Sequence, residues 1–519
     1  MFDGIKEIAE KFRGGGVDRE LLKRSMLYTC LLGLFAHGFA FVNLSVSHDA
    51  VFDFYDSLAE HQHQIGLGRV LEPLYREATA SGLLMPWSTG IRALFWLGLA
   101  VFLVCRMFDL TGRGEVFLTA GIMSVNISVT AVAASYMPWL AADMFALFLA
   151  VAGAVCWQRY GISRVKKYLV YGVAAVTCSL ALYQCYLAVT VVLIILFSMQ
   201  QIVRREGAAK VFRDGLVSVG MLALGGGLYY VLMKSVSAAA GTPLAEGYYD
   251  SVTNLWDNRE PVMQRMISCM KEELTHFFAS DENIYPPQII WAVNLLLFCT
   301  CACLAVRLVR QGKSLPGWGR GEWALLLLLT AVLPFAAYMM RLLNTSVHDL
   351  MVYAVWMLYL LPLLLRKWTG EGEKARGCVA ILLGFLIFSY IQTDNAVYVK
   401  KEVESKATLS LMTEIMAEVD RTEGYIPGET PVTFVGELSG IVTKLPGTER
   451  VEGVSGCNKS SAITYPGTYQ AYFDNVMLRD VKVVFDSGAE KKEEVGRMPS
   501  YPQPGYVKLV DGVAVVRLE

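Results

Sequence analysis

The chain has 519 residues, of which 54% are apolar and 18% charged, with a mean hydropathy of +0.42 and a formal net charge of −1. That balance excludes a soluble multidomain protein, and the lack of a clustered basic excess excludes a nucleic-acid-binding surface. What is left is a polytopic membrane protein.

The chain opens with "MFDGIKEIAEKFRGGGVDRELLKRS", which mixes charges of both signs, and no small-residue cleavage site follows the first apolar run. That run therefore reads as a retained span rather than a signal peptide. Crossing the hydrocarbon core takes about 20 mostly apolar residues. Windows of that kind fall near 25–45, 86–107, 115–135, 139–157, 168–182, 184–202, 215–236, 288–308, 322–341, 347–365 and 377–397. Eleven spans are thus predicted. With the N-terminus cytoplasmic, the inward segments carry 24 lysines and arginines against seven outward, which fixes that orientation by the positive-inside rule. An odd span count then puts the C-terminus outside. The predicted fold is an all-α membrane region over 1–399, with outer juxtamembrane helices in 46–85 and a long outer loop at 237–287. A small extracytoplasmic α+β domain follows over 400–519, where "GYVKLVDGVAVVRLE" reads as a hairpin turning at Asp511-Gly512.

The outward segments hold the residues that look chemical. In "SVSHDAVFDFYDSLAEHQHQIGLGR", Ser45 to Arg69, a helix would set Asp49, Asp53, Asp56 and Glu60 on one face. For Asp53, Asp56 and Glu60 this reads as the wet side of an interfacial helix. Asp49 differs, because it follows the first span directly. A partly desolvated carboxylate there would bind a proton more readily and could act as general base toward a sugar hydroxyl. Arg69, after Gly66 and Gly68, could hold a phosphate in bidentate fashion, whereas Arg76 reads as a snorkelling headgroup contact. Arg341 is the sole basic residue of its outward connection and needs a partner: a lipid phosphate, or else Asp349 or an acid of the first loop.

"ASYMPWLAADMFALF" puts Tyr136 and Asp143 at the outer end of two spans. An unpaired carboxylate in the membrane costs a few kcal/mol, so Asp143 should face a wet cavity or a partner. Tyr183 and Gln184 in "LALYQCYLA" lie at the same level and offer neutral groups that suit sugar hydroxyls. Of eleven cysteines, nine fall in apolar runs; Cys269 and Cys457 lie in polar segments, where a disulfide between them is conceivable. There is no glycine-rich nucleotide loop, zinc spacing or membrane stripe of ionisable residues.

With those residues in view, the chain resembles the polytopic glucosyltransferases of phage-type O-antigen modification (serotype conversion), within the GT-C class of lipid-phosphate-sugar-dependent glycosyltransferases. The carriers are "SHDAVFDFY", "GLGRVLEPLY", "ASYMPWLAADMFALF", "LALYQCYLAV" and "AYMMRLLNTSVHDLMVY". The resemblance implies an inverting transfer of glucose, or a related hexose, from polyprenyl phosphate to a surface glycan such as O-antigen, outside a bacterial inner membrane. It makes Asp49 the catalytic base and Arg69 and Arg341 donor-phosphate ligands. Asp53, Tyr136, Asp143, Tyr183 and Gln184 would be sugar or acceptor contacts, with Asp53 or Asp143 as a second acid. It names no certain cofactor and leaves a divalent metal open. The competing readings are an O-antigen polymerase or ligase and a lipid-linked glycan flippase or transporter.

Overall fold

The computed structural model describes residues 16–52, 54, 58–79, 83–245, 261–279, 287–314, 318–344, 347–370, 372–438, 441–442, 444–457 and 461–518. Among them, eight helices are long and apolar enough to cross a membrane: Asp18–Val42, Pro86–Phe108, Met137–Ser163, Gln184–Val203, Ala208–Ala240, Gln288–Gln311, Arg320–Ala337 and Glu373–Arg421. The run predicted at 115–135 is a pair, Arg113–Ser124 and Ile127–Ser135, bent by 41°. The bend has a chemical cause. Asn126 Oδ1 accepts from Val129 N at 3.1 Å and starts a new helix, while its amide reaches back to the carbonyls of Ile122 and Met123. Lys167–Leu182 is helical but only 16 residues long. The run at 347–365 is not one helix: it breaks into the short turns Asp349–Met351, Tyr353–Trp356 and Met357–Leu360 before Leu361–Thr369. Apolarity alone had suggested a span there, but the Tyr353 hydroxyl donates to the Met123 carbonyl, and Trp356 Nε1 donates to Ser128 Oγ at 3.1 Å. A carbonyl and a hydroxyl of the bent pair thus hold the segment in irregular form.

The ends of the bundle differ. At one, basic residues pair across helices: Arg106 with Asp18 at 2.8 Å, Arg204 with Asp109 at 2.7 Å, and Arg366 with Glu115. Arg164 grips the fully buried Asp214 through both nitrogens, at 2.6 and 3.0 Å. The opposite end carries the first loop, the turn at Tyr136 and the C-terminal domain.

The last apolar span and the charged stretch after it form a single 49-residue helix, Glu373–Arg421. Its far half packs against a three-stranded sheet, β1 (Val432–Val435), β2 (Val507–Val510) and β3 (Val513–Arg517), in the order β1-β3-β2. β2 and β3 form the expected antiparallel hairpin, with Asp511 and Gly512 both at positive φ, while β1 runs parallel to β3. The strand-like run "VKVVFD" contributes only an isolated bridge, Val483 to Val432. The core of this domain takes in Val46 and Val51 from the first loop, alongside Met412, Ile415, Phe434 and Tyr472. The loop after the first span is therefore folded into the C-terminal domain.

Candidate active site

The first loop corrects the helical expectation. Ser47 Oγ accepts from Ala50 N at 2.9 Å and donates to the Ser135 carbonyl at 2.5 Å, so the chain turns at His48-Asp49 and forms only a short 3-10 turn, Ala50–Phe52. The next helix is Leu58–Gly66. Among the described residues of this region, Asp49 lies outside any helix and Glu60 lies on Leu58–Gly66, so the two do not share one helix. Glu60, expected in water, is buried, and its Oε1 accepts from Gln64 Nε2 at 2.7 Å. Asp53 and Asp56 lie outside the described residues. Asp49 is anchored by buried Val46 and Val51 on either side, yet keeps 29% of its side chain exposed, with His48 Nε2 at 3.3 Å from Oδ2. A fixed, wet carboxylate results.

Arg69 is held by its turn. Gly68 has φ +79°, and a Cβ there would come within 2.7 Å of Tyr229 Oη and 3.1 Å of Gln184 Nε2, so glycine is required on both counts. Gln184 donates to the Leu67 carbonyl at 3.0 Å and to Tyr229 Oη at 2.9 Å, and Leu71 N donates to the Ala181 carbonyl at 3.0 Å. These bonds tie the Arg69 turn to the break between Lys167–Leu182 and Leu187–Val203. The guanidinium lies over the Tyr183 ring, 4.7 Å from its centroid, with Asp143 and Tyr136 in electrostatic reach. Five predicted residues, Arg69, Tyr136, Asp143, Tyr183 and Gln184, thus come together. Asp143 is buried, and the Arg69 charge is the counterpart its position demands. Arg69 itself is not saturated: Nη1 reaches Gln64 Oε1 at 3.3 Å, and buried Nε has no hydrogen-bond acceptor. Arg76 does not snorkel. It is buried and stacks on Trp139 at 4.5 Å.

Arg341 lies in a second cluster. Its Nε donates to Glu272 Oε1 at 2.7 Å and Nη1 to the Asn344 carbonyl at 3.1 Å. Among the described residues its ion-pair partner is Glu272, on the helix Val262–Phe278 within the long 237–287 loop, rather than Asp349. Sequence reading missed this helix. Its buried residues, Arg265, Cys269 and Glu273, recur every fourth position, which is the signal that could have found it. Glu273 is buried, its Oε2 has no hydrogen-bond partner, and burial pushes its carboxyl up to about 8. Burial lowers His276, while nearby Asp349 opposes that shift. The ring of His276 meets Trp356 edge-on at 5.3 Å.

Aromatics lie between the two clusters: buried Tyr183 meets Tyr186 at 5.3 Å and Tyr186 meets Tyr353 at 5.7 Å, and Trp356, three residues on, meets His276. Above it sits a loop of the C-terminal domain. Asp349 Oδ2 accepts from Ser455 N at 2.9 Å and Oγ at 3.1 Å, and Lys401 Nζ donates to the Gly456 carbonyl at 2.6 Å. Gly456, at φ +81°, leaves no room for a side chain, since a Cβ would fall 2.1 Å from Ser135 Oγ. Cys269 and Cys457 form no disulfide; each thiol instead approaches a carbonyl at 3.7 Å, of Tyr338 and Val397 respectively. Among the described residues, no three His, Cys, Asp or Glu side chains are grouped as metal ligands.

Chemically, the arrangement offers a wet carboxylate, a guanidinium with donors to spare, and a lining of tyrosines at one end of an apolar bundle. A family model described as Glucosyl transferase GtrII matches residues 38–363, a stretch that contains every one of these groups except the C-terminal loop and Lys401. No curated protein and no solved structure matches the chain.

Proposed function

The chain belongs to the GtrII glucosyl transferase family and is a membrane glycosyltransferase; on that premise we propose that it moves glucose from polyprenyl phosphate to a surface glycan such as O-antigen, with inversion, on the extracytoplasmic side of a bacterial inner membrane. Asp49 takes the proton from an acceptor hydroxyl. The freed oxygen attacks the anomeric carbon from the side opposite the phosphate, and the carbon–oxygen bond to phosphate breaks, its electron pair leaving with polyprenyl phosphate. Arg69 holds that phosphate, whose charge grows as the bond breaks. Tyr136, Asp143, Tyr183 and Gln184 surround the sugar, and Arg341 is a second phosphate contact, reached when Glu272 gives way.

The observation that carries this reading is the partial satisfaction of Arg69. A half-buried guanidinium whose buried Nε lacks an acceptor is costly unless an anion completes it, and a lipid phosphate at the bilayer edge is such an anion. The basic, ion-paired end of the bundle faces the cytoplasm in this scheme, and the C-terminal domain stands outside. The test is a transfer assay with purified protein and polyprenyl-phosphate-glucose. Glucosylated glycan and free polyprenyl phosphate should appear in equal amounts. Use of a nucleotide sugar instead, or no release of polyprenyl phosphate, would overturn the donor assignment.

A further inference from the structure

Two aromatic rings from distant parts of the chain meet in the turn that follows Asp49. Phe52, three residues on, stacks with Tyr465 of the C-terminal domain, with ring centroids 6.3 Å apart and planes 25° from parallel. Tyr465 is 46% exposed, and among the described residues 422–518 it is the one exposed aromatic. Tyr465 thus keeps aromatic surface toward water on a domain that packs its other described rings in or near its core. The backbone around the pair is fitted closely to the two rings. Gly467 sits where a Cβ would be 3.2 Å from Tyr465 Cε2 and 3.9 Å from Phe52 Cζ, and Thr468 Oγ1 accepts from the amides of Thr464 and Tyr465, fixing the turn that presents the ring. On the first-loop side, Asn475 Nδ2 donates to the Val51 carbonyl at 2.7 Å, locking the turn that carries Phe52 to the domain that carries Tyr465.

We propose that the Phe52–Tyr465 pair is a stacking platform for a pyranose ring of the acceptor glycan, presenting that sugar's hydroxyl to Asp49. The C–H face of a pyranose is apolar and packs on an aromatic ring, while its edge hydroxyls stay free for polar groups. The lipid donor arrives from the bilayer and so meets the bundle; the glycan arrives from water and so meets the one aqueous domain at this end. The pair joins the two, because one ring moves with Asp49 and the other with the C-terminal domain. Acceptor choice therefore draws on Tyr465, outside residues 38–363, together with Phe52 inside them, whereas donor handling lies wholly inside.

The proposal rests on Asp49 acting at this end of the molecule, and the experiment separates the two ideas. Full-length protein in detergent is examined by saturation-transfer NMR with lipid-free O-polysaccharide, and in parallel by transfer kinetics. Tyr465→Ala should abolish most of the saturation transfer and raise the acceptor KM by about fivefold or more, with the donor KM retained; Tyr465→Phe should restore both. Phe52→Ala should act in the same direction. An unchanged acceptor KM in Tyr465→Ala, a Phe variant as poor as the Ala variant, or no saturation transfer to the polysaccharide with the unaltered protein would each overturn the platform. If the polysaccharide binds through Tyr465 but polyprenyl-phosphate-glucose is not consumed, the donor assignment fails and the platform stands.

Discussion

Arg69 and Arg341 each lie in a connection between apolar runs and each reads from the sequence as a phosphate ligand, yet the structure treats them oppositely. Arg341 is met by a carboxylate at 2.7 Å and a carbonyl at 3.1 Å. Arg69 has one long bond, to a neutral amide, an aromatic face beneath it and a buried Nε without an acceptor. A guanidinium can thus be engaged by the protein's own acid or be left with a donor to spare, and only the partners tell which. The flanking sequence does not.

The largest effect expected sets the scale for this contrast. Asp49→Asn keeps the size of the side chain and loses the base, so transfer should fall by at least ~100-fold at unchanged protein level in the membrane, measured as kcat on saturating donor. Next comes Arg69→Ala. Losing charge-assisted bonds to phosphate should raise the donor KM about tenfold or more, with Arg69→Lys recovering part of it because an ammonium restores charge but not the planar fork. A normal donor KM in Arg69→Ala would break the comparison outright.

Arg341→Ala should weaken donor use less than Arg69→Ala. The sharper probe is its partner: Glu272→Gln leaves Arg341 in place with a weaker competitor and should lower the donor KM a few-fold in the same titration. A rise instead would mean that Glu272 serves only to hold the helix Val262–Phe278.

The smallest effect is one of stability. Glu273 is held near 8, well above the ordinary ~4.3 of a glutamate, because its burial favours the neutral acid. A raised carboxyl contributes stability that is complete below the ordinary value and is lost as pH climbs toward about 8. Thermal unfolding followed from pH 5 to 9 should show the midpoint falling across that window, and Glu273→Gln should flatten the slope.

Much of the bundle was legible from the chain, since apolar windows mark helices wherever lipid or core surrounds them. The departures have physical causes that are local and polar. Ser47 turned a forecast helix into a bend, and Asn126 broke a span in two. In the run at 347–365, apolar composition could not reveal that Tyr353 and Trp356 would spend their polar groups on the bent pair. The grouping of Tyr136, Asp143, Tyr183 and Gln184 near Arg69 was approachable because polar residues at span ends are costly and so conspicuous. Glu272, Glu273 and His276 were missed because they sit in a polar loop, where charge costs nothing until the loop folds back. The dual membership of the Val46–Val51 segment, which follows the first span yet packs in the C-terminal core, depends on contacts across more than 350 residues. No local pattern carries that information.

The helix Glu373–Arg421 turns this linkage into a mechanical matter. At 49 residues it is about 73 Å long, against a hydrocarbon core of about 30 Å, so it is a mast stepped in the bilayer with much of its length standing clear. Lys400 and Lys401 tie it at mid-length to the loop above the aromatic lining, and its far turns carry the sheet. A lean of the mast displaces its tip more than its foot. Bilayer thickness, which sets the lean of long helices, therefore becomes a control on how the aqueous domain stands over the bundle, and the enzyme should sense the lipid in which it is embedded without binding any one lipid specifically.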